Sequence, residues 1–148
     1  DFYANPDNRY SVPTQCGYFE IVNVKPFGDV VAKFDTGNGA SASTIHTDKL
    51  KVKGKKITWS YSGKTITSKI QRVVKVDVGG LNDYSEERYA VLLDFEFAGS
   101  NYKDVEFLLD DREDRSPMLL NRALMRRMNV MVNPQRKYII TTKYVLDK

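Results

Sequence analysis

The pattern in this 148-residue chain best suited to do chemistry is an apolar strand that ends in an acid, a small hydroxyl residue and a glycine. Val31-Ala32-Lys33-Phe34-Asp35-Thr36-Gly37 would set the Asp35 carboxylate on a tight loop at the rim of a hydrophobic interior. Thr36 offers a hydroxyl to brace that loop, and Gly37 permits a backbone approach that a side chain would block. A carboxylate held this way can take a proton from water or give one to a substrate. The tripeptide by itself fits a strand followed by an Asx turn at least as well.

The other reactive residues point to quieter roles. His46 is the only histidine and Cys16 the only cysteine, whereas metal sites gather three or four His, Cys or carboxylate ligands. No metal and no cofactor is expected, and His46 is assigned to ordering the loop near Asp35 through a hydrogen bond. Cys16 has no thiol to pair with, so no disulfide-forming secretory route is implied and no nucleophile is expected there. Asp110 and Asp111 are adjacent and should point apart on a solvated turn, with Arg112 and Arg115 as salt partners. No glycine-rich phosphate loop precedes a helix, which argues against an ATP site.

The elements that must position Asp35 read as strands almost throughout. Tyr18 to Val24 and Val30 to Phe34 are aromatic and β-branched runs separated by the turn Pro26-Phe27-Gly28-Asp29, a hairpin that delivers Asp35 at its end. Leu50 and Val52 alternate with Lys49, Lys51 and Lys53, the period-two pattern of a solvated strand. Ile57 to Tyr61, Ser62-Gly63-Lys64 and Thr65 to Thr67 suggest a second hairpin, Val73 to Val78 and Tyr89 to Phe97 two long strands divided at Gly79-Gly80, and Val105 to Leu109 another. One short helix is expected, with Asn121 as N-cap and Leu124, Met125 and Met128 at helical spacing. Tyr138-Ile139-Ile140 reads as a last strand. The fold class is all-β, a closed or partly closed barrel with one short helix near the C-terminus. Residues 1–16 read as an extended N-terminal arm and 17–148 as the barrel domain.

Composition narrows the function without naming it. With 41% hydrophobic residues the chain can bury a core without disulfides, and no apolar run approaches the roughly 18 residues of a membrane span. A soluble protein without a membrane partner is expected, cytoplasmic or carried in a virion. A start at Asp1 is compatible with a trimmed chain or with maturation cleavage, and neither is chosen. The net charge of +4 describes association tendency rather than reaction.

Three stretches together resemble the retropepsin-like aspartic protease family often labelled putative ATP-dependent zinc proteases, found in bacteria, archaea and tailed phages. Lys33-Phe34-Asp35-Thr36-Gly37 with Ser41-Ala42-Ser43-Thr44-Ile45-His46 is similar to the family's Asp-Thr-Gly loop and its downstream Ser, apolar and His positions. Glu87-Arg88-Tyr89 opens a long strand at the matching distance. Leu108-Leu109-Asp110-Asp111-Arg112 and Ser116-Pro117-Met118-Leu119-Leu120-Asn121-Arg122 follow its acidic turn and strand-to-helix signature. Two departures stand out. Asn38-Gly39 lengthen the loop by two residues, and Asn121 replaces the family's Gly in the turn beneath the active-site loop. Asn121 and Arg122 would then support that loop together with His46, and Asn would tolerate a positive φ if the turn required one.

The resemblance implies an aspartic endopeptidase acting on a protein or peptide. Two carboxylates a few ångströms apart cannot both ionise comfortably and share a proton, as in the aspartic-protease dyad itself. This chain has one Asp-Thr-Gly, so the dyad would be built from Asp35 of two identical chains, and homodimerisation becomes a requirement. Thr36 and Gly37 complete the catalytic loop. The hairpin with Trp59, Tyr61 and Gly63 is the candidate flap over substrate, with an ordinary solvent hairpin as the equal alternative. A catalytically silent descendant of the fold serving as a structural protein, for instance among the proteins of a phage particle, is the second reading. The third and weakest is a nucleic-acid-binding barrel using Lys49 to Lys56, Arg72, Trp59 and Tyr61 as a basic, stacking surface.

Overall fold

A computed structural model of the chain describes residues 12–78 and 84–141. Alternation of apolar and polar residues builds the first hairpin. Strands β1 (Thr14–Gly17), β2 (Phe19–Lys25) and β3 (Gly28–Phe34) open the fold, and β2 and β3 pair antiparallel from Phe19↔Lys33 to Val24↔Gly28. Val22, Val24, Val30, Ala32 and Phe34 all face inward and are buried, as period two requires. Gly28 closes the turn at φ +89, a left-handed conformation that glycine adopts without strain.

After Asp35 the chain crosses to β4 (Ser43–His46), then forms β5 (Lys49–Lys53), β6 (Lys56–Tyr61) and β7 (Lys64–Lys69). The long strands β8 (Arg72–Val78), β9 (Tyr84–Phe97) and β10 (Ser100–Asp110) follow, and β11 (Met118–Leu120), helix α1 (Arg122–Met128) and β12 (Val130–Asn133) end the regular structure. Six strands in the order β10-β4-β11-β3-β2-β9 close into a barrel because β9 and β10 also pair. β9 manages this by its length: its first half pairs with β8, its second half with β10, and its end with β2. The expected all-β barrel with one short C-terminal helix is what the structure shows.

The interior is filled by side chains such as Phe34, Ile45, Phe95, Phe107, Leu109, Met118 and Leu120, all buried. Each contributes roughly 1.5–3 kcal/mol by leaving water. The β5-β6-β7 sheet is separate and packs against this core through Ile57 and Trp59, both buried, with Trp59 against Phe27 at 5.0 Å between ring centroids. Helix α1 buries Leu124, Met125 and Met128 as its spacing predicts, and Asn129 ends it in the left-handed region at φ 53.

Two expectations need correction. The end of the expected arm is not separate from the barrel domain: Thr14, Gln15 and Cys16 form β1 together with Gly17, parallel to β12, and Cys16 is fully buried in the core; residues 1–11 lie outside the described residues, as do Gly79 and Gly80. Tyr138-Ile139-Ile140 is not a strand. The Tyr138 N–H donates to the Phe19 carbonyl at 2.8 Å, and the donors that follow turn onto a buried acid: the Glu20 carboxylate accepts from the N–H groups of Gly17, Ile139, Ile140 and Thr141 and from the Thr141 hydroxyl, at 2.6 to 3.1 Å. The segment crosses so close to Gly17 that a Cβ there would lie 2.7 Å from the Arg136 carbonyl oxygen. Those N–H groups need a partner in the interior, and one carboxylate supplies it more compactly than a neighbouring strand.

Candidate active site

Asp35 follows the last residue of β3, and what lies beneath it is β11. This three-residue strand is threaded between β3, to which it runs parallel (Met118↔Ala32, Leu120↔Phe34), and β4, to which it runs antiparallel (Met118↔Ile45). The two strands it separates are the ones joined by the Asp35 loop, so the loop must arch over the end of β11. The Asp35 N–H donates to the Leu120 carbonyl at 3.3 Å, and the Arg122 N–H donates to the Asn38 carbonyl at 2.9 Å.

Within the loop, Asp35 is half-buried while Thr36 and Gly37 are exposed. The Gly37 N–H donates to Asp35 Oδ1 at 3.1 Å and the Asn38 N–H to the Asp35 carbonyl at 3.0 Å, an Asx turn that fixes the carboxylate's direction. Asp35 Oδ2 accepts no hydrogen bond among the described residues. Asn38 and Gly39 are used rather than looped out. Asn38 Oδ1 accepts from the Ala40 N–H at 2.9 Å, and Gly39 lies against the Arg122 guanidinium, where a Cβ would come within 2.5 Å of Nη2.

Asn121 is the clamp of the loop. Its Nδ2 donates to the Ala40 carbonyl at 2.8 Å, its Oδ1 accepts from the Leu124 N–H at 3.0 Å and from the Ser43 hydroxyl at 3.2 Å, and its own N–H donates to Ser43 Oγ at 3.0 Å. The residue caps α1 as expected, but at φ −88 and ψ 169, so no positive φ is involved. One side chain thus ties the loop, β4 and the helix start together, which glycine in its place could not do. Ser43, buried at the start of β4, is its partner and was visible in sequence only as part of the family-like run.

Among the described residues, His46 makes no hydrogen bond to the Asp35 loop. Its Nδ1 accepts from the Arg112 N–H at 2.8 Å, which leaves Nε2 to carry the proton and donate to Asp48 Oδ1 at 2.8 Å. Asp48 Oδ2 in turn accepts from the Ser62 N–H at 2.9 Å. His46 therefore couples the acidic turn after β10 to the tip of the β6–β7 hairpin. The Arg112 side chain is buried and Nε donates to the Ser116 carbonyl at 2.8 Å. Burial and the Arg115 charge lower its pKa from the ordinary arginine value, against the opposing fields of Asp110 and Asp35. Asp110 pairs with Arg88 Nε at 3.1 Å rather than with Arg112 or Arg115, and Asp111 lies 3.8 Å from His46 Nδ1.

Trp59, Tyr61 and Gly63 are not brought to Asp35 within the chain. Trp59 is a core residue, and Tyr61 packs edge-on against Phe27 at 5.6 Å, where burial and the Asp48 charge raise its pKa. Gly63, at φ +81, sits at a tip that Lys64 anchors through Nζ to the Pro26 carbonyl at 3.1 Å. Pro26 and Phe27 form the turn before β3, and Asp35 comes after it, so a seven-residue strand of roughly 20 Å separates hairpin tip and carboxylate. Among the described residues no group of three or more His, Cys, Asp or Glu side chains is arranged to hold a metal.

No family model and no curated protein matches the chain. Among solved structures it is similar to a protein with unknown function (DUF785) from Legionella pneumophila subsp. pneumophila str. Philadelphia 1, with a TM-score of 0.67 and 20% identity over 85% of this chain and 97% of that one. The likeness is one of fold.

Proposed function

We propose that this chain is an aspartic endopeptidase of retropepsin type whose site is completed by a second copy of itself. The observation that carries the reading is the threading of β11 beneath the Asp35 loop. It fixes a half-buried carboxylate at the barrel rim, with exposed Thr36 and Gly37 where a two-fold mate could approach. In such a dimer the two Asp35 carboxylates share one proton; the ionised member takes a proton from the attacking water, and the protonated one donates to the carbonyl oxygen of the scissile bond. The fixed Asx turn on Oδ1 leaves Oδ2 to face the reacting water. No residue of the β6–β7 hairpin enters this scheme.

The deciding experiment joins sedimentation with hydrolysis. The wild-type protein is expected to sediment as a dimer and to cut an unfolded protein substrate at mildly acidic pH, and Asp35→Asn to keep the dimer and lose the cutting. A wild-type protein that stays monomeric at high concentration and cuts nothing favours the silent structural reading. The same Asx turn supports that second reading, because it gives Asp35 a purely architectural use.

A further inference from the structure

We propose that the outward face of the β5-β6-β7 sheet binds the phosphate backbone of duplex nucleic acid without reading its sequence. The segment from Lys49 to Lys69 holds seven of the chain's 23 Lys and Arg and none of its 19 Asp and Glu, so the rest of the chain has a net charge of −3. Strand register sorts these charges onto one face. Lys53, Lys56 and Lys69 stand directly opposite one another across all three strands, and Lys51, Thr58 and Thr67 form the next row but one, with Lys49 beyond. The Thr58 and Thr67 hydroxyls meet at 3.0 Å, which confirms that this row shares a face.

All five of these lysines are exposed, and none forms a salt bridge among the described residues. Like charges directly opposite on a sheet destabilise it. Lysine on an outer strand guards against edge pairing, which accounts for Lys49, Lys51 and Lys53 on β5. It does not account for Lys56, which lies on the central strand and completes the three-lysine row. A polyanion laid on the face turns that repulsion into attraction.

The chemistry of the face chooses the polyanion. Protein interfaces are depleted in lysine and need an apolar or aromatic centre, and these rows offer neither. Lys and Thr are among the side chains that contact phosphate oxygens. Alternate residues on β5 are about 6.7 Å apart, two steps of the roughly 3.4 Å rise per nucleotide of one duplex strand. Single strands are held largely by stacking on aromatics. The aromatics of this sheet, Trp59 and Tyr61, lie on the opposite face, toward the core, so the stacking surface expected from sequence does not form and the duplex is the favoured ligand.

The test is fluorescence anisotropy with a mixed-sequence 20-base-pair duplex between 50 and 200 mM KCl. Five phosphate contacts give a slope of log affinity against log salt of about −4.5, a loss of about 500-fold across that range. Lys56→Gln/Lys69→Gln is expected to flatten the slope to about −2.7. Lys75→Gln/Lys103→Gln removes equal charge elsewhere and should leave the slope unchanged. Melting of each variant checks the fold, and Lys56→Gln/Lys69→Gln should melt no lower than wild type because it relieves repulsion. Absence of binding at 50 mM KCl, equal losses in the two double variants, or tighter binding of single-stranded DNA would overturn the proposal. Tighter binding of poly-glutamate than of the duplex would also overturn it and give the face to an acidic protein.

Discussion

Replacing Asn121 with alanine should cost more than the loss of a surface cap, because one side chain serves three partners. The Leu124 N–H loses its capping acceptor, worth about 1 kcal/mol. The Ala40 carbonyl loses a donor at 2.8 Å, and the buried Ser43 hydroxyl loses its acceptor at 3.2 Å, each worth about 1 kcal/mol when one partner remains. Asn121→Ala is therefore expected to destabilise the fold by about 3 kcal/mol, which for a domain of this size lowers Tm by about 6–12 °C. Asn121→Asp keeps both acceptor roles but turns a carboxylate oxygen toward the Ala40 carbonyl where Nδ2 now donates, acceptor against acceptor, so it should cost no less than the alanine. Urea unfolding of both variants measures these costs, and Ser43→Ala together with Ser43→Ala/Asn121→Ala closes a double-mutant cycle, with a coupling of about 1 kcal/mol between residues 43 and 121. The reasoning is refuted if Asn121→Ala lies within 0.5 kcal/mol of wild type, or if Asn121→Asp is as stable as wild type.

Glu20→Gln should release the segment from Ile139 to Thr141. Its carboxylate accepts five hydrogen bonds, and an amide both loses acceptors and turns an NH2 group toward other donors, a cost of about 3–5 kcal/mol. Hydrogen exchange should speed up first at residues 139–141; unchanged protection there would contradict the assignment. Burial, with the Glu20 charge adding, pushes the Cys16 thiol up to about 12 from 9.0. Between those values the unfolded chain releases the proton and the folded one keeps it, so this group's contribution to stability is present below pH 9 and is lost as pH rises toward 12. Unfolding free energies of wild type and Cys16→Ser should diverge above pH 9 by about 1.4 kcal/mol per pH unit, and parallel curves would show that Cys16 titrates equally in both states.

The strands were legible wherever alternation was long and the turn between them was marked. Pro26-Phe27-Gly28 and Ser62-Gly63 announce their hairpins, and the alternation from Tyr89 to Phe97 announces the strand that closes the barrel. The parity that buries Trp59 was also there to be read: Ile57 and Trp59 alternate with Thr58 and Ser60, which puts the tryptophan on the core face of its hairpin. The polar stretch before Gly17 hid β1, since a short parallel pairing with β12 leaves no periodic trace. The β-branched run at Ile139-Ile140 misled because the partner that decides its conformation, Glu20, lies some 120 residues away. For the candidate site, the Asp35 loop was visible, but the uses of Asn38, Gly39 and Asn121 depend on the crossing of β11, a contact that no local pattern encodes.

That crossing also separates the two surfaces for which functions are proposed. β11 fixes the Asp35 loop at one end of β3, while the hairpin tip is anchored at the other end by Lys64 and by the packing of Phe27 on Trp59. An anion on the lysine face would meet a sheet whose covalent route to Asp35 runs through β4, and one hydrogen-bonded link runs from Ser62 through Asp48 and His46 to the Arg112 turn. Substituting Asp35 should therefore leave duplex affinity and its salt slope untouched, and substituting Lys56 and Lys69 should leave any peptide hydrolysis untouched. His46→Ala is the substitution that bears on both ends. It removes the acceptor for the Arg112 N–H and the donor to Asp48 at once, and a change in either activity from that variant would trace the link between them.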